Sequence, residues 1–600
     1  MIDTYRKLFD MLTQQERKRF FVLLGLIIMM GFVEMVGVAS ILPFLAAVSN
    51  PDAVQNNRYM AALYNFLGLT DYKTFLVVMG LSVFVMIIFS MVVKIATTYA
   101  TTRFSQMRTY SLSSRLLAGY LRQPYSWFLN RHSAQLSRSI LNEVSSVIGG
   151  SLIPAMKIIA QSVSLIFLIG LLFVVNPAVA ASTIVIFIGA YTVIFLGFRN
   201  RLTAFGTARL EANRLRFRVA SEIFGAAKEI KLLGLEDRYL MRFQAPSRRI
   251  AEIASSSQII GEMPRNLLEA ITYGGILLLI VVLLVTGDGA INSVLPTLGV
   301  FAFAGLKIFP AVQQMYQSLT ALRSNAPTLE SIHKEYMETI AQDRTRTAPS
   351  AGKKPLHITD RIEMRDIGYQ YPVAEKAALR GLSLTIRANT TVGIVGGTGA
   401  GKTTAVDVLL GLLTPQSGQL LVDGAPVTEE NVRNWQKVLG YVPQHIFLID
   451  SSVSANIAFG VAEKDWDHAA IERAARIANL HDFIMGDLPQ GYETRVGERG
   501  VRLSGGQRQR IGIARALYHN PEVLIMDEAT SALDNLTERA VMEAVQNLRH
   551  AKTVIMIAHR LTTVKNCDTI FLLQEGQVMG QGTYDELREE NETFRRMVGT

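Results

Sequence analysis

The sequence predicts two architectures in series: a membrane α-helical domain of six transmembrane helices with long cytoplasmic extensions, fused to an α/β domain built around a phosphate-binding loop. Three observations predict it. Six apolar stretches of about spanning length precede residue 323, a polar segment with Pro and Gly follows, and the remainder alternates short apolar strands with helical stretches. The divisions read as a transmembrane domain over 1–323, a linker over 324–355 and a soluble domain over 356–600.

Composition agrees with this division. Hydrophobic residues make up 49 % of the 600 residues and charged residues 18 %, which excludes a disordered chain and a small disulfide scaffold. The single cysteine, Cys567, has no partner for an internal disulfide or a thiolate cluster and reads as a small buried side chain. A net charge of +10 raises nucleic acid as a partner, but Lys and Arg sit mostly between the apolar runs, so none is expected.

The spans are expected at Phe20–Val48, Phe75–Ile95, Leu152–Val175, Ala178–Phe198, Leu267–Val285 and Val294–Val312, each near the roughly 20 residues a helix needs to cross a bilayer. The first is too long for a cleavable signal and ends in polar Ser49-Asn50-Pro51. Basic residues crowd the N-terminal arm and the segments after the second and fourth spans, whereas the turns at Asn176-Pro177 and Thr286–Gly289 carry none. The positive-inside rule therefore expects both termini, the soluble domain and both long loops in the cytoplasm. The loops read as helical extensions, each reaching some 35–40 Å from the bilayer if about 25 residues are helical. Their tips fall near Pro124–Phe128 and Phe224–Ile230.

In the soluble part, Gly396-Gly397-Thr398-Gly399-Ala400-Gly401-Lys402-Thr403 matches the G-x-x-x-x-G-K-[ST] loop, between an expected strand, Thr391–Val395, and a helix that begins at Thr404. Backbone N–H groups and the helix N-terminus cradle phosphate in such a loop. Lys402 is the candidate for the β- and γ-phosphates of ATP, and Thr403 for Mg²⁺. A second expected strand, Glu522–Met526, ends in Asp527-Glu528, with Asp527 placed for Mg²⁺ and Glu528 for orienting the attacking water.

Leu503-Ser504-Gly505-Gly506-Gln507 resembles the signature motif of ATP-binding cassette (ABC) proteins, and six spans followed by one cassette resemble an exporter half-transporter. The resemblance implies a dimer of two copies that sandwiches ATP between the loop of one cassette and the signature of the other. It also implies roles for Tyr371 in stacking on adenine, Gln444 in sensing Mg²⁺, Asp534 in communication across the dimer and His559 in contacting the γ-phosphate. Read without the family, Tyr371 has a core tyrosine as its lesser alternative, and His559 reads as a core or capping histidine. The tips near Pro124–Phe128 and Phe224–Ile230 resemble coupling helices.

Substrate signals are weaker in kind. The loop Pro51–Thr74, Lys228–Gly234 and Met263–Glu269 are similar to the lipid-linked oligosaccharide flippase of bacterial protein N-glycosylation, which implies a bacterial inner-membrane location and an amphipathic lipid-linked glycan as substrate. The loop is also consistent with a segment lying on the lipid surface. Arg265 and Lys307 are candidates for a lipid-linked pyrophosphate, and Glu34 lies mid-span, where an ionisable group points to function. Arg265 has an alternative partner in Glu269, and Lys94 and Lys157 read as snorkelling to the interface. An exporter of drugs, peptides or simple lipids, and an ATP-gated channel, remain alternatives; intact Glu528 and His559 weigh against the channel.

Overall fold

A computed structural model describes residues 2–49, 71–175, 177–286, 291–345, 354–372, 374–528, 538–539, 542–543, 551–558 and 560–598. The chain forms two compact units, one of Met1–Gln123 with Asn130–Arg344, the other of Pro124–Leu129 with Thr345–Thr600. Most of the external loop, Asp534 and His559 lie outside the described residues.

The first unit is helical. A short amphipathic helix α1 (Ile2–Asp10) precedes α2 (Gln14–Ser49), which starts at a capping box: Glu16 N–H donates to Thr13 Oγ1, and Thr13 N–H returns a bond to Glu16. A turn at Ser40 interrupts α2. Pro43, three residues on, has no N–H for the Ala39 carbonyl and its ring crowds that carbonyl. Next come α3 (Tyr72–Leu121) and α5 (Ser133–Val175); the short α4 (Tyr125–Leu129) between them is counted with the second unit. At about 1.5 Å per residue, the 50 residues of α3 run some 75 Å, well beyond a bilayer core. Helices α6 (Pro177–Gly225), α7 (Ala227–Leu232), α8 (Glu236–Thr286) and α9 (Ile291–Thr345) complete the set.

Every expected span lies inside one of the long helices, and α2, α3 and α5 are long and apolar enough to cross a membrane. Small residues allow close approach: a Cβ at Gly31 on α2 would stand 2.9 Å from Val163 Cγ1 on α5. One boundary differs from the sequence reading. Residues 324–345, assigned there to the linker, continue α9 and bury Leu329, Ile332 and Tyr336 in the helical unit. Their spacing of three to four residues is an apolar helix stripe, which a reading based on loss of long apolar runs overlooks.

The second unit carries two sheets. An antiparallel sheet in the order β2-β1-β4-β5 is built from β1 (Arg361–Tyr369), β2 (Leu379–Arg387), β4 (Ser417–Val422) and β5 (Ala425–Pro426). The other has the order β10-β9-β3-β8-β7-β6, with β3 (Thr391–Gly396), β6 (Leu439–Val442), β7 (Val523–Asp527), β8 (Thr553–Ile557), β9 (Thr569–Gln574) and β10 (Gln577–Gly582). Its pairs are parallel except β9 with β10. Strands β3, β7 and β8 are buried on both faces, hence their unbroken apolar sequences. Helices α10 (Lys402–Leu409), α11 (His468–Ile477) and α12 (Gly505–Leu517) pack into two apolar cores, one of which encloses Cys567.

Candidate functional site

Parallel strands end together, so the loops at their carboxyl ends converge. The loop Gly396–Gly401 leaves β3 and enters α10 at Lys402. Gly401 adopts φ +96°, and a Cβ there would lie 2.7 Å from Ala378 O, so only glycine suits the turn. Gly399, at φ +80°, likewise sits in the left-handed region, with Thr398 before it and the buried Ala400 after it. Lys402 is buried, and its Nζ donates to Gly396 O at 2.8 Å and Gly397 O at 3.0 Å, folded along the loop it is expected to serve. Burial lowers the Lys402 pKa, partly offset by Glu528 and Asp527. Thr403 is exposed beside it, whereas Thr404 is buried and lies 3.2 Å from Tyr371 Oη. Tyr371 is half-buried, edge-on to Tyr369 at 5.1 Å.

Strand β7 delivers Asp527 and Glu528. Glu528 sits at φ +49°, a left-handed conformation costly for a non-glycine residue. Its N–H donates to Ile557 O at 3.0 Å, its carbonyl accepts from Gln509 Nε2 at 3.1 Å, and its Oε2 accepts from Gln444 Nε2 at 2.8 Å, and these bonds help hold it. Asp527 is buried beside Asp407 of α10. Burial, with the Asp527 charge adding to it, pushes the Asp407 carboxyl up to about 6. The Tyr441 hydroxyl is raised by burial and by Asp527, to which it is hydrogen-bonded. Tyr125, of the segment that belongs to this unit, is also raised, by burial and then by Asp407 and Tyr371. Asp527 and Asp407 are neighbouring buried acids, Gln444 is bonded to the adjacent Glu528, and Thr403 lies in the first turn of α10, so the residue types near β7 and the loop suit the oxygen ligands a hard divalent cation takes.

The signature segment caps α12. Ser504 accepts from Gln507 N–H at 3.2 Å, and Gln507 Oε1 accepts the Ser504 N–H at 2.8 Å, so Gly505 and Gly506 open the helix. Ser504 is exposed, but Leu503 is packed into the apolar core, where it seats the turn.

In the helical unit, Glu34 is buried on α2 and joins three other helices. Its carboxylate is 2.9 Å from Lys94 Nζ on α3 and 3.8 Å from Lys307 Nζ on α9, and it accepts a hydrogen bond from Ser164 on α5. Lys94 is therefore a cluster member, contrary to the snorkelling assignment: the carboxylate offers it a partner that an isolated span lacks. Arg265 is not part of this cluster; it pairs with Glu269 at 3.2 Å, one turn along α8.

Residues 20–303 match the family model described as ABC transporter transmembrane region, and residues 379–531 match the one described as ABC transporter. The heterocyst differentiation ATP-binding protein HepA of Nostoc sp. is 31 % identical over 471 residues, which cover 78 % of this chain and 74 % of that protein. The chain belongs to the ABC transporter family. This transporter is also similar to the ATP-dependent lipid A-core flippase of Cupriavidus metallidurans, 28 % identical over 83 % of this chain and 82 % of that one. Among solved structures, a bacterial Atm1-family ABC exporter with ATP bound superposes with a TM-score of 0.72 at 24 % identity, covering 97 % and 98 % of the two chains. That likeness shows the fold: an exporter-type transmembrane domain fused to a nucleotide-binding domain.

Sequence reasoning about the transporter missed Gln509, Asp407 and Lys94. Gln509 follows the signature by two residues, and its burial within the polar run Gln507–Arg510 carries no signal short of the fold. Asp407 was visible as an acid on an otherwise apolar helix face, which is a reason to look for a site.

Proposed function

We propose that this transporter is an ATP-driven exporter that works as a homodimer and flips a lipid-linked oligosaccharide outward across the bacterial inner membrane, its cassettes and both termini cytoplasmic. The observation that carries the reading is the strained Glu528, held by Gln444, Gln509 and Ile557 at the carboxyl end of β7, beside Lys402 and Asp527. Lys402 and the N–H groups of residues 396–404 bind the phosphates of ATP, and Tyr371 stacks on the base. Thr403, Gln444 and Asp527 would hold Mg²⁺, which when bound supplies neutralising charge to the phosphate oxygens. Glu528 orients and polarises the attacking water, and His559 contacts the γ-phosphate. Ser504 with the N-terminal N–H groups of α12 offers a second anion-binding surface, which serves the nucleotide on the other copy. Asp534 carries the state of one site to the other.

On the membrane side, Lys94 and Lys307 around Glu34 supply two positive charges to one buried anion, a pattern suited to a phosphate group moving along the pathway. The likeness to a protein named as a lipid A-core flippase supports a lipid substrate. Arg265, a candidate for the same pyrophosphate, is paired with Glu269 and stands apart from the Glu34 cluster. The test uses protein in liposomes loaded with lipid-linked oligosaccharide, plain phospholipid and a cationic drug. Lys307→Ala and Lys94→Ala are expected to abolish ATP-dependent flipping of the oligosaccharide while leaving basal ATPase within about twofold. Unchanged flipping in both, or transport of the drug alone, overturns the substrate assignment.

A further inference from the structure

We propose that a cleft at the foot of the first span binds one anionic glycerophospholipid of the surrounding bilayer, an acyl chain inside the cleft and the phosphate on Arg6. The cleft has a volume of about 400 Å³, within the range of roughly 300–1,000 Å³ common to small-molecule pockets. Phe9 and Phe20 form one wall, and Leu152, Met156 and Ile159 of α5 the other. Such an apolar space gives water no hydrogen-bond partners and favours a hydrocarbon chain. It is also preformed, because the Tyr5 hydroxyl donates to Ala155 O at 3.0 Å and ties α1 across α5.

Charge selects the head group. Arg6 is the cationic residue that lines the cleft, it is exposed, and among the described residues it has no ion-pair partner. The neighbouring Lys7 is already engaged by Asp3 and Glu330, and the Arg17 guanidinium lies on the Phe9 ring at 4.6 Å. Lys18 and Arg19 add exposed positive charge at the start of α2. An apolar slot beneath an uncommitted guanidinium, on an amphipathic helix next to a span, matches a molecule with a chain at one end and a phosphate at the other. The cleft shares no lining residue with the Glu34 cluster, so lipid held there occupies a different site from the one proposed for the substrate.

Native mass spectrometry of the full-length transporter in detergent, titrated with phosphatidylglycerol, phosphatidylcholine or oleate, tests this. The wild type is expected to retain one phosphatidylglycerol per chain at least fivefold more than phosphatidylcholine or oleate. Arg6→Gln should remove that preference, and Met156→Trp, which fills the cleft, should remove the bound lipid. Basal ATPase reports whether each variant is intact; if Met156→Trp does not assemble, Arg6→Gln decides alone. Retention of phosphatidylglycerol at the wild-type level by an intact Arg6→Gln, or equal retention of all three ligands by the wild type, overturns the proposal.

Discussion

Asp407 shows how a single acid alters the cassette. Its folded pKa, about 6, lies above the ordinary 3.8, so between those values the folded chain keeps a proton that the unfolded chain has released. Stability from this residue is therefore intact near pH 4 and declines as pH rises toward 6, above which Asp407 and Asp527 repel each other in full. Asp407→Asn should raise the cassette's thermal midpoint at pH 7.5, measured without nucleotide or divalent cation, and the gain should shrink to nothing near pH 4. An equal gain at both values would contradict the charge explanation. Gln509 acts differently, through the backbone of Glu528. Gln509→Leu removes the hydrogen bond to the Glu528 carbonyl, worth about 1 kcal/mol, and should lower kcat for ATP hydrolysis about fivefold with KM unchanged. A raised KM with normal kcat would show that Gln509 supports nucleotide binding instead. Asp407 could be noticed in the sequence as a lone acid on an apolar helix face, but its pairing with Asp527 could not, and Gln509 gave no signal, because both contacts depend on where α10 and α12 fall against β7. The phosphate loop was legible, since all its chemistry lies in eight consecutive residues.

Elements in the cassette are joined by small polar hubs. Asp423, in the turn between β4 and β5, accepts from Thr359 N–H and Oγ1, both at 2.7 Å, from Asp360 N–H at 2.9 Å and from Arg361 N–H at 2.8 Å. Burial alone would raise its pKa, but these donors outweigh that and hold it down to about 2. For an acid with a depressed folded pKa, the contribution is complete above the ordinary 3.8 and is lost as pH falls toward 2. Asp423→Ala should lower the cassette's stability by about 1–2 kcal/mol at neutral pH. The deficit should shrink as pH falls from the ordinary 3.8 and vanish only below about pH 2; a deficit that persists unchanged would place its origin outside these hydrogen bonds. Among the helices, existence was readable from apolar runs but rotation was not. Lys94 reads from sequence as snorkelling to the interface, yet it points to Glu34, 60 residues earlier, through the packing of α2 on α3. The reverse holds for residues 324–345, whose packed stripe was hidden by their polar majority.

For the whole molecule, the central claim is that each site of hydrolysis is shared: the phosphate loop comes from one chain and the signature from the other. The membrane helices, the cassette and their order were legible because length and motif carry them; two-copy assembly is an expectation that rests on the family resemblance alone. The claim can be tested by complementation. Lys402→Ala and Ser504→Arg each disable both sites of a symmetric dimer, so each variant alone should have negligible ATPase activity. Co-assembly at equal amounts makes half the dimers mixed, and each mixed dimer regains one intact site, so about a quarter of wild-type activity should return. A mixture as inactive as its parents, with mixed dimers verified by tagged pull-down, or a fully active Ser504→Arg variant alone, would contradict the shared site.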